Sequence, residues 1–285
     1  MGTVDLHLHT TCSDGRYSPA EVVAMVARSG AFTLAITDHD TVEGLAEAEA
    51  EARLRDRTLI PGIELSVSCE GQDLHILGYY LDPGDPGLAA LIVRLRQARA
   101  DRIAAMVARL SDLGCPVTVA AVEAQASGTW AIGRNHVARA LVAAGFAVDV
   151  DDAFRRYLRD GGPACLPKVT ASLEESLEVL LRAGAVPVLA HPATYRLEPV
   201  FWRLIRAGLL GIEVFHPSHH PSDVRRFSDM AESWGLCQTG GSDYHGHRES
   251  ETTPGSLALG SELIEALDRA RTMVPDRVRS VYGRP

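Results

Sequence analysis

Two histidines two residues apart are the first groups in this chain that can do chemistry. In Val4-Asp5-Leu6-His7-Leu8-His9 the apolar residues alternate strictly with Asp5, His7 and His9, which is the period-2 pattern of a strand with one apolar and one polar face. On such a strand His7 and His9 project from the same side, close enough to bind one metal ion and held more rigidly than on a loop. The Ser13-Asp14-Gly15 turn sets a carboxylate just past the strand's end. Taken alone, the pair also fits a half-exposed strand whose imidazoles meet water. Further donors recur, however, at or near the ends of later strand-like runs: His39, Glu64, His75, His191, Asp243 and His245. Surface histidines have no reason to fall at successive strand ends.

The elements that must position these groups follow a regular rhythm. Ser18-Pro19 reads as an N-cap with proline at the first helical position, opening a helix to about Gly30. Phe32–Thr37 is a second strand, an Ala/Glu-rich helix runs to about Asp56, and Thr58–Val67 and Leu74–Tyr80 are the third and fourth strands. From about Pro86 the chain turns Ala/Arg/Leu-rich, with helices expected near Leu88–Leu113, Arg134–Ala144 and Val150–Leu158. Strands then return at Ala185–Ala190, Gly211–Phe215 and Leu236–Thr239, with helices at Leu173–Ala183, Leu197–Ala207, Pro221–Trp234 and Glu262–Arg271. Alternating strands and helices predict an α/β fold, a parallel sheet or barrel, in which functional groups collect at the strands' C-terminal ends. The expected division is a catalytic domain of residues 1–98 and 166–285, interrupted by a helical insertion or lid at 99–165.

Composition narrows the class. A hydrophobic content of 46% and a charged content of 23% are ordinary for a soluble globular protein. No apolar run has the length of a membrane span and no leader pattern opens the chain, so the expected location is the cytoplasm, with no membrane partner. The 5 cysteines are scattered and never spaced Cys-x-x-Cys, against a disulfide framework; Cys12 alone lies beside the histidines. A net charge of -9 disfavours long nucleic acid, whose affinity comes from phosphate neutralisation. A nucleotide or a short nucleic-acid end at a local cationic site remains compatible with it.

The motif series His-x-His, Thr-Asp-His-Asp, Pro-Gly-Ile-Glu, His-Ile-Leu-Gly, Ala-His-Pro and Gly-Ser-Asp-x-His, in that order over almost the whole length, resembles the polymerase and histidinol phosphatase (PHP) superfamily of metal-dependent phosphoesterases. The resemblance implies a distorted (β/α)7 barrel, here with a small helical insertion domain, and a site for three divalent ions. By the same likeness His7, His9, Glu64 and Asp243 hold one ion, Glu64 bridges to a second with His75 and His191, and Asp14, His39 and His245 hold the third. A hydroxide between two ions is nucleophilic at neutral pH, and a third ion can offset charge on the phosphoryl oxygens. Nitrogen and oxygen donors without a thiolate suit Mn²⁺ first, with Fe²⁺ or Zn²⁺ as alternatives. Asp40 either orients a ligand from behind or caps the helix expected near Thr41; Asp38 is assigned a structural part.

Substrate contacts lie outside that set. Gly133-Arg134-Asn135-His136 at a helix start can form an anion site and resembles the Arg-x-His of the PHP branch of 3',5'-nucleotide bisphosphatases and tryptophan-operon-associated 5'-3' exoribonucleases. Lys168 and the Pro217-Ser218-His219 loop also resemble that branch, which makes Arg134, His136, Lys168, Ser218 and His219 the expected phosphate contacts. His216 receives no role, and His220 and His247 are read as surface imidazoles. The branch implies one reaction on two substrates, a 3',5'-bisphosphate nucleotide such as pAp or a short 5'-phosphorylated RNA. A histidinol-phosphate phosphatase or a non-catalytic PHP module are the alternatives, and no obligate protein partner is expected.

Overall fold

In the computed structural model, which describes residues 3–126, 131–247 and 252–283, the alternating N-terminal stretch opens as strand β1 (Thr3–Asp5). Ser18 caps helix α1 (Pro19–Ser29) with a capping box: its Oγ accepts from Glu21 N at 3.3 Å, and Ser18 N donates to Glu21 Oε2 at 2.8 Å. Gly30 ends that helix at φ 90, a conformation open to glycine. The chain continues through β2 (Ala31–Ile36), α2 (Leu45–Leu54), β3 (Thr58–Cys69) and β4 (Gln72–Tyr79). Helices α3 (Pro86–Asp112), α4 (Val119–Glu123), α5 (Arg134–Ala143) and α6 (Val150–Ala153) follow. The strand-helix rhythm resumes with β5 (Ala171–Ser172), α7 (Leu173–Arg182), β6 (Val186–Leu189), α8 (Phe201–Arg206), β7 (Gly211–Phe215), α9 (Pro221–Trp234), β8 (Cys237–Gly240) and α10 (Glu262–Tyr282).

Among the described residues the sheet runs β1-β2-β3-β4-β6-β7-β8, with β5 paired to β3 off that path. The pairs β1/β2, β2/β3, β6/β7 and β7/β8 are parallel, whereas β4 is antiparallel to both β3 and β6. Its reversal has a local cause: Glu70 at φ 50 and Gly71 at φ 72 make a tight turn, and a tight turn can join only antiparallel strands. The sheet closes where Leu6 N donates to Gly240 O at 3.2 Å and Asp243 N donates to His7 O at 2.9 Å. At this seam a Cβ on Gly241 would lie 2.3 Å from His7 N, so only glycine lets the two backbones meet. The result is a distorted (β/α)7 barrel.

Closure and the helices packed around the sheet bury both faces of the first strand. Asp5, His7 and His9 are as buried as Leu6 and Leu8. Leu6, Ile60, Leu77, Val186, Val188 and Leu267 belong to one core cluster. Helix α10 runs on to Tyr282 through Pro275, well past the expected end near Arg271. Proline ordinarily ends a helix, but Val274 is buried in this core, Val278 and Tyr282 pack against it, and Tyr282 Oη donates to Ala207 O at 2.7 Å.

The chain divides into two compact units, one of Met1–Ile92 with Ala171–Pro285 and another of Val93–Thr170. The second unit has its own core of Ile103, Met106, Leu110, Val122, Val137, Leu141 and Leu158 among others. Its N-terminal limit falls inside α3, an unbroken helix with no composition change to mark it, earlier than the 99 expected. Its last helical segment, Phe154–Leu158, is a π-turn in which Arg159 N donates to Phe154 O at 2.8 Å.

Candidate metal centre

Extended backbone leads into most of the donors on the barrel. His7 and His9 follow β1, His39 follows β2, Glu64 and His75 lie on the antiparallel pair β3/β4, His191 follows β6, and Asp243 and His245 follow β8. Imidazoles from four of these segments converge on Glu64. Its Oε2 lies 3.3 Å from His7 Nε2, 3.2 Å from His9 Nε2 and 3.1 Å from His39 Nδ1. Its Oε1 lies 2.9 Å from His75 Nδ1 and 3.0 Å from His191 Nε2. Asp243 Oδ1 faces His7 Nε2 at 3.3 Å and His9 Nε2 at 3.2 Å. Asp14 stands to the other side, with Oδ1 3.7 Å from His9 Nδ1 and 3.4 Å from His245 Nε2, and Oδ2 3.8 Å from His39 Nε2.

These positions make three overlapping donor groups among the described residues: His9, Asp14, His39 and His245; His7, His9 and Asp243; and His39, Glu64 and His75. His9 and His39 each present one ring nitrogen to either side, so the sharing is wider than the bridging by Glu64 alone. Cys12 is in none of the groups.

The donor atoms fit metal ions on an independent ground. His7 Nε2, both ring nitrogens of His9, His39 Nδ1, His75 Nδ1 and Glu64 Oε2 are buried without a hydrogen-bond partner. Leaving one such atom unsatisfied costs about 1–3 kcal/mol. A cluster of them aimed at shared points suits divalent ions, which would take the lone pairs.

Electrostatics point the same way. Burial alone would raise Glu64, but the imidazoles of His39, His75 and His7 outweigh it and hold its carboxyl well below the usual range. Burial is likewise overcome at Asp14 by His39 and His245, and at Asp243 by His7 and His216, so both are held low. Burial pulls His9 down, yet Asp243 and Glu64 carry it up to about 10. His39 goes the other way: burial lowers it well below its ordinary value, past what Glu64 and Asp14 restore. Three ionised carboxylates among imidazoles are a cation site in which a metal takes the place of protons.

Residues behind the donors fix their directions. Glu213, fully buried on β7, accepts from His7 Nδ1 at 2.9 Å and from His191 N at 2.7 Å. Burial would raise its own carboxyl, but His7, with His216 and His191, more than offsets it and lowers it. An ionised Glu213 can only accept, so Nδ1 of His7 carries a proton and Nε2 is the ligating atom. Glu213 was missed in the sequence, although one carboxylate inside the apolar run Gly-Ile-Glu-Val-Phe was a signal for it. His191, at φ 29, is steadied by Tyr195 Oη, 3.0 Å from its Nδ1; the same oxygen accepts from His75 N at 3.0 Å.

Asp38 accepts from Thr10 N, Thr10 Oγ1 and Ser13 Oγ and so ties the loop after His9. Asp40 does not cap α2, whose N-cap is Gly44. Its Oδ1 accepts from Ser66 N at 2.9 Å while its backbone N donates to Glu64 O at 2.9 Å, which pins β3 on either side of the fully buried Leu65. The His247 ring, exposed as expected, reaches back so that Nε2 donates to Asp14 O at 2.6 Å.

The expected substrate contacts fall in both units. In the barrel, Ser218 is exposed, and the His219 ring is held through Nδ1, which donates to Val214 O at 2.8 Å. Burial lowers the His219 pKa, so the neutral ring offers Nε2 as an acceptor, suited to a hydroxyl; donation to phosphate requires the protonated ring. In the second unit, Gly133 N donates to His136 Nδ1 at 3.0 Å at the start of α5, which leaves the ring proton on Nε2. Arg134 pairs with Asp160 at 2.5 Å and donates to Leu158 O at 3.2 Å. Lys168 is half-buried there.

The PHP domain family matches residues 5–103. The chain is 37% identical over 250 residues to a 3',5'-nucleoside bisphosphate phosphatase of Chromobacterium violaceum, spanning 86% of this chain and 88% of that one. It is 31% identical over 248 residues to the 5'-3' exoribonuclease Rnm of Escherichia coli, spanning 85% and 84%. A solved structure from Bifidobacterium adolescentis, described as a metal-dependent phosphoesterase, matches with a TM-score of 0.82 at 30% identity, covering 94% of this chain and 96% of that one. This chain belongs to the PHP family of metal-dependent phosphoesterases. It is an enzyme that hydrolyses phosphate esters.

Proposed function

We propose that this enzyme hydrolyses the 3'-side phosphate of 5'-phosphorylated nucleotides. A 3',5'-bisphosphate such as pAp gives AMP and orthophosphate, and the same attack on a short 5'-phosphorylated RNA releases a 5'-mononucleotide. The observation that carries the chemistry is the set of buried, unpartnered donor atoms around Glu64. Support for the substrate class comes from the relatives named for nucleoside bisphosphate and RNA hydrolysis. The net charge of -9 favours small or short substrates over long nucleic acid.

In this reading His7, His9, Glu64 and Asp243 hold one ion, Glu64, His75 and His191 a second, and Asp14, His39 and His245 a third, with Mn²⁺ the first choice. Divalent ions there supply hydroxide at neutral pH, because coordination lowers the pKa of water from roughly 15.7 to about 7. Glu213 keeps the Nε2 lone pair of His7 aimed inward, and Asp40 keeps β3 in register under Glu64. Arg134, His136 and Lys168 bind substrate phosphate, Arg134 through the planar fork of its guanidinium. Ser218 and His219, in the barrel unit, contact substrate.

The test is turnover by the Mn²⁺-loaded protein of pAp, a 5'-phosphorylated RNA, the same RNA with a 5'-hydroxyl, and histidinol phosphate, with orthophosphate resolved from mononucleotide. Activity on pAp or the phosphorylated RNA, lost with the 5'-hydroxyl, is expected. Activity on histidinol phosphate alone would overturn the substrate reading and leave the metal site standing.

A further inference from the structure

His216 follows β7, outside the donor groups, yet its side chain is only 7% exposed and touches one of them. Its Nε2 lies 3.2 Å from Asp243 Oδ2. Its Nδ1 lies 2.7 Å from Ser218 Oγ and 3.1 Å from Ser218 N. A backbone N–H can only donate, so Nδ1 is an acceptor and the neutral ring carries its proton on Nε2. That N–H then donates to Asp243 Oδ2. The other oxygen of the same carboxylate, Oδ1, is the one that faces His7 and His9 at 3.3 and 3.2 Å. With Oδ2 tied, rotation of the carboxylate is stopped and Oδ1 keeps its aim. The backbone of Asp243, at φ 49, lies in the left-handed region, where a side-chain tether helps to hold the conformation.

We propose that His216 is a positioning residue that joins two parts of the site: its Nε2–H fixes Asp243 as a donor, and its Nδ1 fixes Ser218 on the loop beside it. The inference rests on the assignment of Asp243 to metal and of Ser218 to substrate given above. One imidazole couples the two, so a shift of the 217–219 loop is felt at Asp243.

Two variants separate the roles. In His216→Asn the amide oxygen can still accept from Ser218 N, as in an Asx turn, but the side chain is too short to reach Asp243. In His216→Gln the amide nitrogen stands near the former Nε2 and can donate to Asp243, while the acceptor for Ser218 is lost. The first readout is Mn²⁺ retention against a chelator, which needs no substrate. His216→Asn is expected to hold Mn²⁺ about 10–100-fold more weakly, and His216→Gln close to the parent value, because the donor to Asp243 is replaced in kind. The second readout is KM for whichever phosphoester is turned over, expected to rise in His216→Gln and to stay near the parent value in His216→Asn. Parental Mn²⁺ retention by His216→Asn, or equal loss in both variants, overturns the proposal. If no nucleotide is turned over, the substrate reading fails, and the difference in Mn²⁺ retention still decides the role of His216.

Discussion

His7 Nδ1 and Glu213 Oε1 lie 2.9 Å apart with both side chains fully buried, and this pair decides which nitrogen of His7 faces the donor cluster. In Glu213→Gln the shape is kept, but the amide can donate to Nδ1 and drive the ring proton to Nε2, where it blocks ligation. Metal affinity or turnover should fall about 10–100-fold. Metal content after dialysis, measured beside kcat, checks it; a variant that keeps both would remove Glu213 from this role.

Loss of a donor should cost more than loss of its support. His9→Ala and Asp243→Ala are expected to abolish turnover and lower bound metal, because His9 faces donors on both of its sides. Chelation of the parent protein should stop turnover, and Mn²⁺ should restore it and raise the Tm, by about 2.7 kcal/mol of stabilisation at a hundredfold excess over Kd. Full activity in His9→Ala would sink the site assignment.

The pH dependence of the metal-free protein follows from His9, which keeps its proton up to about 10 in the fold, against roughly 6.5 in the unfolded chain. A raised folded pKa adds stability that is complete below about 6.5 and lost as pH rises through about 10. Asp14, Asp243 and Glu64, held low in the fold, act oppositely, adding stability above the ordinary carboxylate range that disappears in acid. The metal-free Tm should therefore decline between about pH 7 and 10 while metal affinity climbs, since each ion displaces protons. Thermal scans across that window, with and without Mn²⁺, test both; a metal-free Tm that rises over it contradicts the assignment.

Gly241→Ala probes the closure of the barrel. The added Cβ would meet His7 N at 2.3 Å and His7 Cβ at 2.4 Å, and neither can yield without moving the strand. A loss of about 1–3 kcal/mol is expected from such overpacking, with weaker metal binding because His7 moves. Denaturant titration gives the first quantity and chelator competition the second.

Arg134→Ala should raise KM for substrates bearing a 5'-phosphate, by about tenfold or more if one charge-assisted contact is lost, with metal content unchanged. Substrates with a 5'-hydroxyl should hardly notice. Equal losses on both would assign Arg134 to the stability of its own unit, through Asp160 and Leu158.

The residue types of His7, His9, Asp14, His39, Glu64, His75, His191, Asp243 and His245 were legible in the sequence, as was the placement of His7, His9, His39, His191, Asp243 and His245 after strands, because both are local properties: imidazole and carboxylate chemistry belongs to the side chain, and a strand's end is marked by its neighbours. Glu64 and His75 lie instead within β3 and β4, because the turn between these strands extends their pairing past both residues. The same holds for α1, whose Ser18-Pro19-Glu21 signal caps it within a single turn of chain. Where a feature depends on residues far apart, local pattern is silent. Glu213 reads as an oddity in a strand until the barrel brings it to His7, 206 positions away, and His216 acquires a role only when closure sets Asp243 beside it. Helix α10 passes Pro275 because the core it covers outweighs the missing N–H. The sequence by itself named the candidate donors and the family of folds that can present them; the tertiary structure decided how they meet, their tautomers and their supports, because hydrogen bonds and burial are set by packing between distant segments.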